Sequence, residues 1–472
     1  MVGEAAMAKD CEQDLKLEMV GEPETILPAG PTPATALFLS NTDQVLVIPV
    51  ETVYFYPANP AKPADKLVET LRDSLAKLLV TYHLMAGRLS MNEQEQRLEI
   101  DCNRKGAQFT HYTSGVSLEE LGDVTLPNAA FRALVPTKFD ATVVFDLPLL
   151  AIQVTTFKCG GYTVGVMMSH TLFDGPAAIE FFMNYAALAR GEGLVCLPSL
   201  DRTPLKARDP PRVTFDHPEL IKMSDLEQSN PFSTAESASA EVVSLEAPIK
   251  HVTKVFPFTP EMIEILKKKA LEGDVIKRVS TFEVLAAHIW QSRTKAIELP
   301  EDKPTNLLFA VDIRKRTIPP LPKHYAGNAV FAASARDVPQ VVRDMSFVEA
   351  VQRIQEAIAR VTDEYIRSSI DWGQIYKGVP ALAGGFFLSA WWKMPFYEID
   401  YGWGKPIYAG PIVTPLIEFL LLLSNGTQDG GCNLIIALEP EQMAKFEEFV
   451  KAALLIFHGT GYFEWLGVTC DP

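Results

Sequence analysis

Residues 201–250 interrupt an otherwise patterned chain, and that interruption limits the folds open to it. The stretch begins DRTPLKARDPPRVTFDHPEL and continues through SNPFSTAESASAE, rich in proline, serine, alanine and charge. Helical and strand periodicity both fade there, which suits a long crossover between two domains. A chain of 472 residues exceeds what one simple core accommodates, which points the same way. The expectation is an N-terminal domain over 1–200, a crossover over 201–250 and a C-terminal domain over 251–472.

Periodicity on either side defines the elements. Residues 66–79, KLVETLRDSLAKLL, repeat apolar side chains at helical spacing. Residues 149–157 and 162–168 read as strands joined by a turn at Cys159, Gly160 and Gly161. A helix follows over 176–189, with proline in its first turn and Gly191 just past its end. Beyond the crossover, 261–270 and 281–293 read as helices and 306–311 as a strand. Strands and helices mix without a strict βαβ rhythm, so an α/β protein with mixed sheets is expected.

Charge and cysteine usage exclude several function classes. With 43 basic and 59 acidic side chains, the formal net charge is -16, which disfavours nucleic acid or an anionic membrane as main partner. The N-terminus, MVGEAAMAKDCEQDLK, reads as neither a secretory signal nor a transit peptide, so a cytoplasmic protein is expected. The longest apolar run, around 415–424, contains Glu418 and is far short of the ~20 residues of a spanning helix. Cys11, Cys102, Cys159, Cys196, Cys432 and Cys470 are scattered without a CxxC pair, so reduced thiols are expected, with neither a disulfide framework nor a metal site.

The segment richest in chemistry is 167–175, MMSHTLFDG. A strand delivers His170 at its C-terminal end, and a tight turn then leads into a helix. Such a corner can present the imidazole at a crevice, where histidine is suited to accept a proton near neutral pH. Spacing alone leaves a second reading open, a strand-end histidine with Asp174 as a helix-start residue. A second segment, 396–406, reads FYEIDYGWGKP: glycines permit positive φ, and Trp403 can plug what lies beneath.

Taken together, HTLFDG and the distant DYGWG resemble the paired signatures of the BAHD family of acyl-CoA-dependent acyltransferases. The resemblance extends to PTP at 31–33, LSNTDQ from Leu39, HLMAGRL at 83–89, STFEVLAAHIW from Ser280, VDIRKR from Val311 and PPLPKHYAGN at 319–328. Tyr401 stands where the family usually has phenylalanine. The resemblance implies two similar-sized mixed-sheet domains of the chloramphenicol acetyltransferase-like kind, with a solvent channel between them. It also implies a monomer with no metal and no permanently bound cofactor, using acyl-CoA as co-substrate and a small-molecule alcohol or amine as acceptor.

Carried onto this sequence, His170 is the implied general base. Asp174 and Asp400 complete the candidate catalytic set, though the family implies support for both: Asp174 pairs with an arginine, for which Arg314 is the candidate, and Asp400 shapes its loop. Ser389 and Trp391, in LSAWWKMP, are candidates for the substrate side, Ser389 as donor to a developing oxyanion. For the CoA end, Lys254 is a cationic candidate, and Ser280 and Thr281 open a helix whose start suits phosphate or pantetheine. The remaining histidines, His83, His111, His217, His251, His288, His324 and His458, lie outside the signature.

Within the family, LSNTDQVLVIPVETVYFY, the FKCGGY turn and DRTPLKARDPP resemble the subgroup that attaches hydroxycinnamoyl groups to ω-hydroxy fatty acids and fatty alcohols. Shikimate-type relatives carry a longer segment ahead of the serine-tryptophan strand, with an arginine for the acceptor's carboxylate. Here residues 371–389 are short, hold Lys377 as their one basic side chain and include the apolar VPALAGGFFL. Two other expectations stay open: acylation of a polyamine, phenolic or shikimate-type acceptor, and a non-catalytic protein that binds acyl-CoA or a partner.

Overall fold

The computed structural model describes residues 15–455 apart from 127, 138, 140–142, 226–250, 383, 413–417 and 428. Cys11, Cys470, His458 and the second half of the expected crossover therefore lie outside the described residues. The fold is mixed α/β and divides into two units. The first comprises the described residues of 1–206, 321–329 and 394–413; the second, those of 207–320, 330–393 and 414–472.

In the first unit a seven-stranded sheet runs Leu17–Met19, Ala107–Ser114, Leu150–Phe157, Tyr162–Ser169, Pro49–Tyr56, Tyr408–Pro411, with Glu24–Ile26 also pairing Ala107–Ser114. Only Ala107–Ser114 and Leu150–Phe157 pair in parallel; the rest is antiparallel. The two central strands, Leu150–Phe157 and Tyr162–Ser169, are buried along nearly their whole length, so both faces are covered and strict alternation is lost. Helix Gly175–Ala189 runs beside helix Leu67–Thr81. A core of Val53, Phe55, Phe131, Leu134, Phe157 and Tyr408 fills the sheet's other side.

The turn joining the central strands forms as its glycines predict. Gly160 sits at φ +87° and its N–H donates to the Phe157 carbonyl at 2.8 Å. A small sheet of Ala36–Phe38, Arg97–Asp101 and Arg88–Asn92 completes the unit.

The second unit holds a six-stranded mixed sheet in the order Val252–Phe258, Cys432–Leu438, Phe419–Ser424, Phe386–Ala390, Thr305–Asp312, Val330–Asp337. Helix Thr281–Ala296 is enclosed by helices Pro260–Ala270, Phe347–Arg360 and Pro440–Leu455 and is buried almost all round. His288 on that helix is fully buried, and desolvation pushes its pKa down to about 3, so it is neutral in the fold. Among the described residues no helix is long and apolar enough to cross a membrane.

The unit boundaries differ from the sequence expectation in two respects that matter for the site: residues 321–329, which carry Asn328, and residues 394–413 both lie in the first unit. The expectation assigned DYGWG to the C-terminal domain, but residues 394–413 belong to the first unit. The reason is strand pairing: Tyr408–Pro411 adds to the sheet edge at Pro49–Tyr56, carrying the loop before it back across the chain.

A close approach in the first sheet yields a test. A Cβ on Gly165 would overlap the Leu134 carbonyl, and backbone cannot step aside as a flexible side chain can. Gly165→Ala should therefore destabilise the protein by about 1–3 kcal/mol or more, read as a lower urea midpoint at unchanged slope.

Candidate active site

The corner after Tyr162–Ser169 is fixed from both ends. The His170 N–H donates to Ile48 O at 2.8 Å, which continues the pairing with Pro49–Tyr56 one residue past the strand. The next three side chains turn inward: Thr171, Leu172 and Phe173 are buried, and Phe173 sits 5.9 Å from the Tyr82 ring, edge on. At Asp174 the helix begins. One carboxylate oxygen accepts from Ala177 N at 3.1 Å as the N-cap, and the other accepts from Ala329 N at 2.9 Å. With the flanking residues locked, the half-buried imidazole of His170 is held at the corner.

What orients the ring is Asn328, a residue that motif reading did not single out. Its Oδ1 lies 3.2 Å from His170 Nδ1. Its Nδ2 donates to His170 O and to Asp43 Oδ1, both at 2.8 Å, and to Thr171 O at 3.2 Å. All three partners are acceptors, and a carboxylate can only accept, so the amide has one sensible orientation. Oδ1 must then face the ring, which makes Nδ1 the protonated nitrogen of neutral His170 and leaves Nε2 as the basic one.

Asp43 is itself held by a full set of partners. It accepts from Ser40 N and Ser40 Oγ, each at 2.8 Å, closing a capping box on the short helix Asn41–Gln44. Arg202 Nη1 stands 3.2 Å from Asp43 Oδ2, with both side chains fully buried. Arg202 also donates to the carbonyls of Thr171 at 3.1 Å, Leu172 at 2.6 Å and Ala326 at 3.4 Å. A buried guanidinium thus ties together the histidine corner, the 321–329 segment and the carboxylate that orients Asn328.

The expected site residues fall as follows. Asp400 Oδ1 accepts from Gly402 N at 2.7 Å and Gly404 N at 2.9 Å, and Arg190 donates to the Asp400 carbonyl. The carboxylate is thereby used to shape its own loop. Trp403 plugs as expected: its indole N–H donates to Pro63 O at 3.0 Å, and Lys62 Nζ lies 3.7 Å above the ring. Tyr401 is buried against Tyr56 and Tyr185, and desolvation, reinforced by neighbouring tyrosines, holds its phenol well above the usual range.

The other candidates belong to the second unit. Arg314 has Asp312 at its guanidinium, 3.4 Å away. Trp391 Nε1 donates to Ser389 Oγ at 2.9 Å, which turns the serine's own proton away from the indole. Lys254 is already paired with Glu447 at 2.8 Å. Ser280 is the N-cap of Thr281–Ala296 in a capping box whose Glu283 carboxylate returns to Ser280 N at 2.8 Å. Ser280 and Lys254, two of the residues expected at the CoA end, are thus each engaged with a neighbouring carboxylate.

Asn328, Asp43 and Arg202 all lie within stretches that carried the family resemblance: PPLPKHYAGN, LSNTDQ and DRTPLKARDPP. The one local signal was Ser40-x-x-Asp43, a capping pattern. Nothing in spacing linked residues 158 and 285 positions apart.

Comparison with known proteins adds the following. The model of the Transferase family matches residues 15–452. "Acyltransferase GLAUCE" of Arabidopsis thaliana is 39% identical, covering 94% of this chain and 97% of its own length. "Omega-hydroxypalmitate O-feruloyl transferase" of the same plant is 34% identical, covering 90% and 91%. "Shikimate O-hydroxycinnamoyltransferase" of Nicotiana tabacum is 33% identical, covering 92% and 99%. Among solved structures, vinorine synthase superposes with a TM-score of 0.70 at 24% identity, covering 91% of this chain and 96% of its own.

The buried network is open to direct test. Asp43→Ala would leave Arg202 as an uncompensated buried charge, at a cost of about 3–5 kcal/mol. Chemical denaturation should show that loss; a change below about 1 kcal/mol would remove the ion pair from this account.

Proposed function

Since the chain belongs to the Transferase family, the BAHD acyltransferases, we propose that it moves a hydroxycinnamoyl group from coenzyme A to the hydroxyl of a long-chain ω-hydroxy fatty acid or fatty alcohol. The observation that carries the mechanism is the orientation of Asn328, which makes Nε2 of His170 the basic nitrogen. Nε2 takes the proton from the acceptor hydroxyl as its oxygen attacks the thioester carbonyl carbon. The resulting tetrahedral oxyanion collapses, the C–S bond breaks, and the CoA thiolate leaves and recovers the proton from the imidazolium. The products are an ester and free CoA, and His170 returns to its starting state.

Supporting groups act through His170. Asn328 stabilises the imidazolium by keeping an acceptor on Nδ1–H, and Asp43 with Arg202 keeps Asn328 from rotating. Asp174 fixes the helix start and the Ala329 N–H, which makes it a positioning residue in this reading. The acyl and acceptor classes rest on two supports: the likeness to the feruloyl transferase named above, and the short apolar interval over 379–388 with no arginine for a small carboxylated acceptor. The likeness to a shikimate transferase at nearly the same identity is why shikimate belongs in the assay.

Purified protein given feruloyl-, coumaroyl- or acetyl-CoA against 16-hydroxypalmitate, hexadecanol, shikimate and spermidine should release CoA with a hydroxycinnamoyl donor and a long-chain acceptor. Release with shikimate or spermidine alone would overturn the acceptor assignment and leave acyl transfer standing. His170→Ala should lower kcat by roughly 10²–10⁴ without loss of fold. Asn328→Ala should lower kcat by roughly 10² with little change in KM for the CoA donor. An unchanged kcat with a raised KM would contradict the orienting role.

A further inference from the structure

Three side chains with no part in acyl transfer come together beside the corner that holds His170. Glu180 is on the helix Gly175–Ala189, Cys196 in the segment after it, and His324 in the loop that also carries Asn328. One ligand atom from each, a carboxylate oxygen, the thiol sulfur and a ring nitrogen, lies within 4.8 Å of both others, and all three residues are half-buried. His324 Nδ1 stands 3.0 Å from Glu180 Oε1.

The backbone around each ligand is independently pinned. Asn184 holds Cys196 from one turn along the helix, donating from Nδ2 to Cys196 O at 2.9 Å and accepting from Cys196 N at 3.1 Å. Ser199 N donates to His324 O at 2.9 Å, and Ala326 N donates back to Ser199 O at 2.8 Å. His324 itself adopts φ +58°, in the left-handed region that few side chains other than asparagine, aspartate and histidine occupy. The three ligands therefore come from three segments that the fold clamps to one another.

We propose that Glu180, Cys196 and His324 form a binding site for a zinc ion, with solvent completing the tetrahedron. One thiolate, one imidazole and one carboxylate make the mixed set that suits Zn²⁺, whose bonds to such ligands are about 2.0–2.3 Å. Rotation of the side chains closes the present separation to the roughly 3.5 Å that such bonds span in a tetrahedron. On binding, the thiol proton passes to solvent, and the contact between His324 and Glu180 is replaced by two bonds to the metal. The ion would join the helix that follows His170 to the loop that carries Asn328, stiffening the frame of the base without entering the reaction. Sequence spacing hid the site, because residues 180, 196 and 324 form no metal motif.

The test uses the untagged full chain stripped of metal by a chelator. Zn²⁺ titration should show one strong site and raise Tm. Co²⁺ in its place should give the intense visible bands of a tetrahedral ion together with a thiolate charge-transfer band. Cys196→Ser should abolish the charge-transfer band, His324→Gln and Glu180→Gln should each weaken Zn²⁺ at least about ten-fold, and Cys159→Ser should change neither. Absence of a stoichiometric site, or a charge-transfer band that survives Cys196→Ser, overturns the proposal. If Cys196→Ser does not fold, alkylation of the native protein decides. Zn²⁺ must shield Cys196 while Cys159 stays reactive, and equal labelling of Cys196 with and without Zn²⁺ overturns the proposal as well.

Discussion

A guanidinium without exposed surface needs acceptors around it, and the two Nη groups of Arg202 find three carbonyls and one carboxylate. Those acceptors belong to Thr171, Leu172, Ala326 and Asp43, which is to say to every segment that frames His170. Desolvating both charges costs several kcal/mol per ion, a cost that these hydrogen bonds and the ion pair work against. The directional hydrogen bonds from Asp43 through Asn328 to the ring are also what make the arrangement single-valued. Asp43 can face only the donor end of Asn328, and Asn328 then presents only its acceptor end to the ring. The tautomer of His170 thus follows from a charge pair one residue removed from it.

The DYGWG loop solves a different problem, that of holding a tight, glycine-rich turn in one shape. Gly402 and Gly404 both have positive φ, at +99° and +113°, conformations that side chains rarely adopt. Asp400 gathers their N–H groups, while Tyr401 and Trp403 anchor the loop to residues of the first sheet and of 59–63. Tyrosine at 401 in place of phenylalanine leaves the ring buried at the same tyrosine cluster. Both signatures therefore sit in one unit, each stabilised by neighbours that the other signature does not supply.

The crossover, unpatterned in sequence, is far from unstructured over its first half. Arg208 Nε meets Asp371 Oδ2 at 2.6 Å, and the same carboxylate accepts from the N–H groups of Arg208 and Arg212. Further along, His217 bridges Glu219 at 2.8 Å and Ser368 at 2.9 Å, and Tyr365 donates to Glu219 at 2.7 Å. Residues 208–219 thus dock along helix Asp363–Tyr376 through polar contacts. Periodicity could not reveal this, because such docking relies on individual hydrogen bonds and not on a repeating apolar face.

Features closed within a few residues were determined by the sequence itself. The turn at Gly160, the cap at Asp174, the capping boxes at Ser40 and Ser280 and the helices over 66–79 and 176–189 all follow from side chains acting on their own backbone. The two family signatures were likewise legible as motifs, and so was the place of His170 at a strand-to-helix corner. Tertiary structure decided which ring nitrogen of His170 faces Asn328, because the answer depends on residues 158 and 285 positions apart that meet only when buried. It also moved residues 394–413 into the first unit through one edge strand, and it brought Glu180, Cys196 and His324 to one place. Local propensity is read along the chain, whereas a buried polar group takes whatever partner the closed core brings to it, and no spacing rule records that choice.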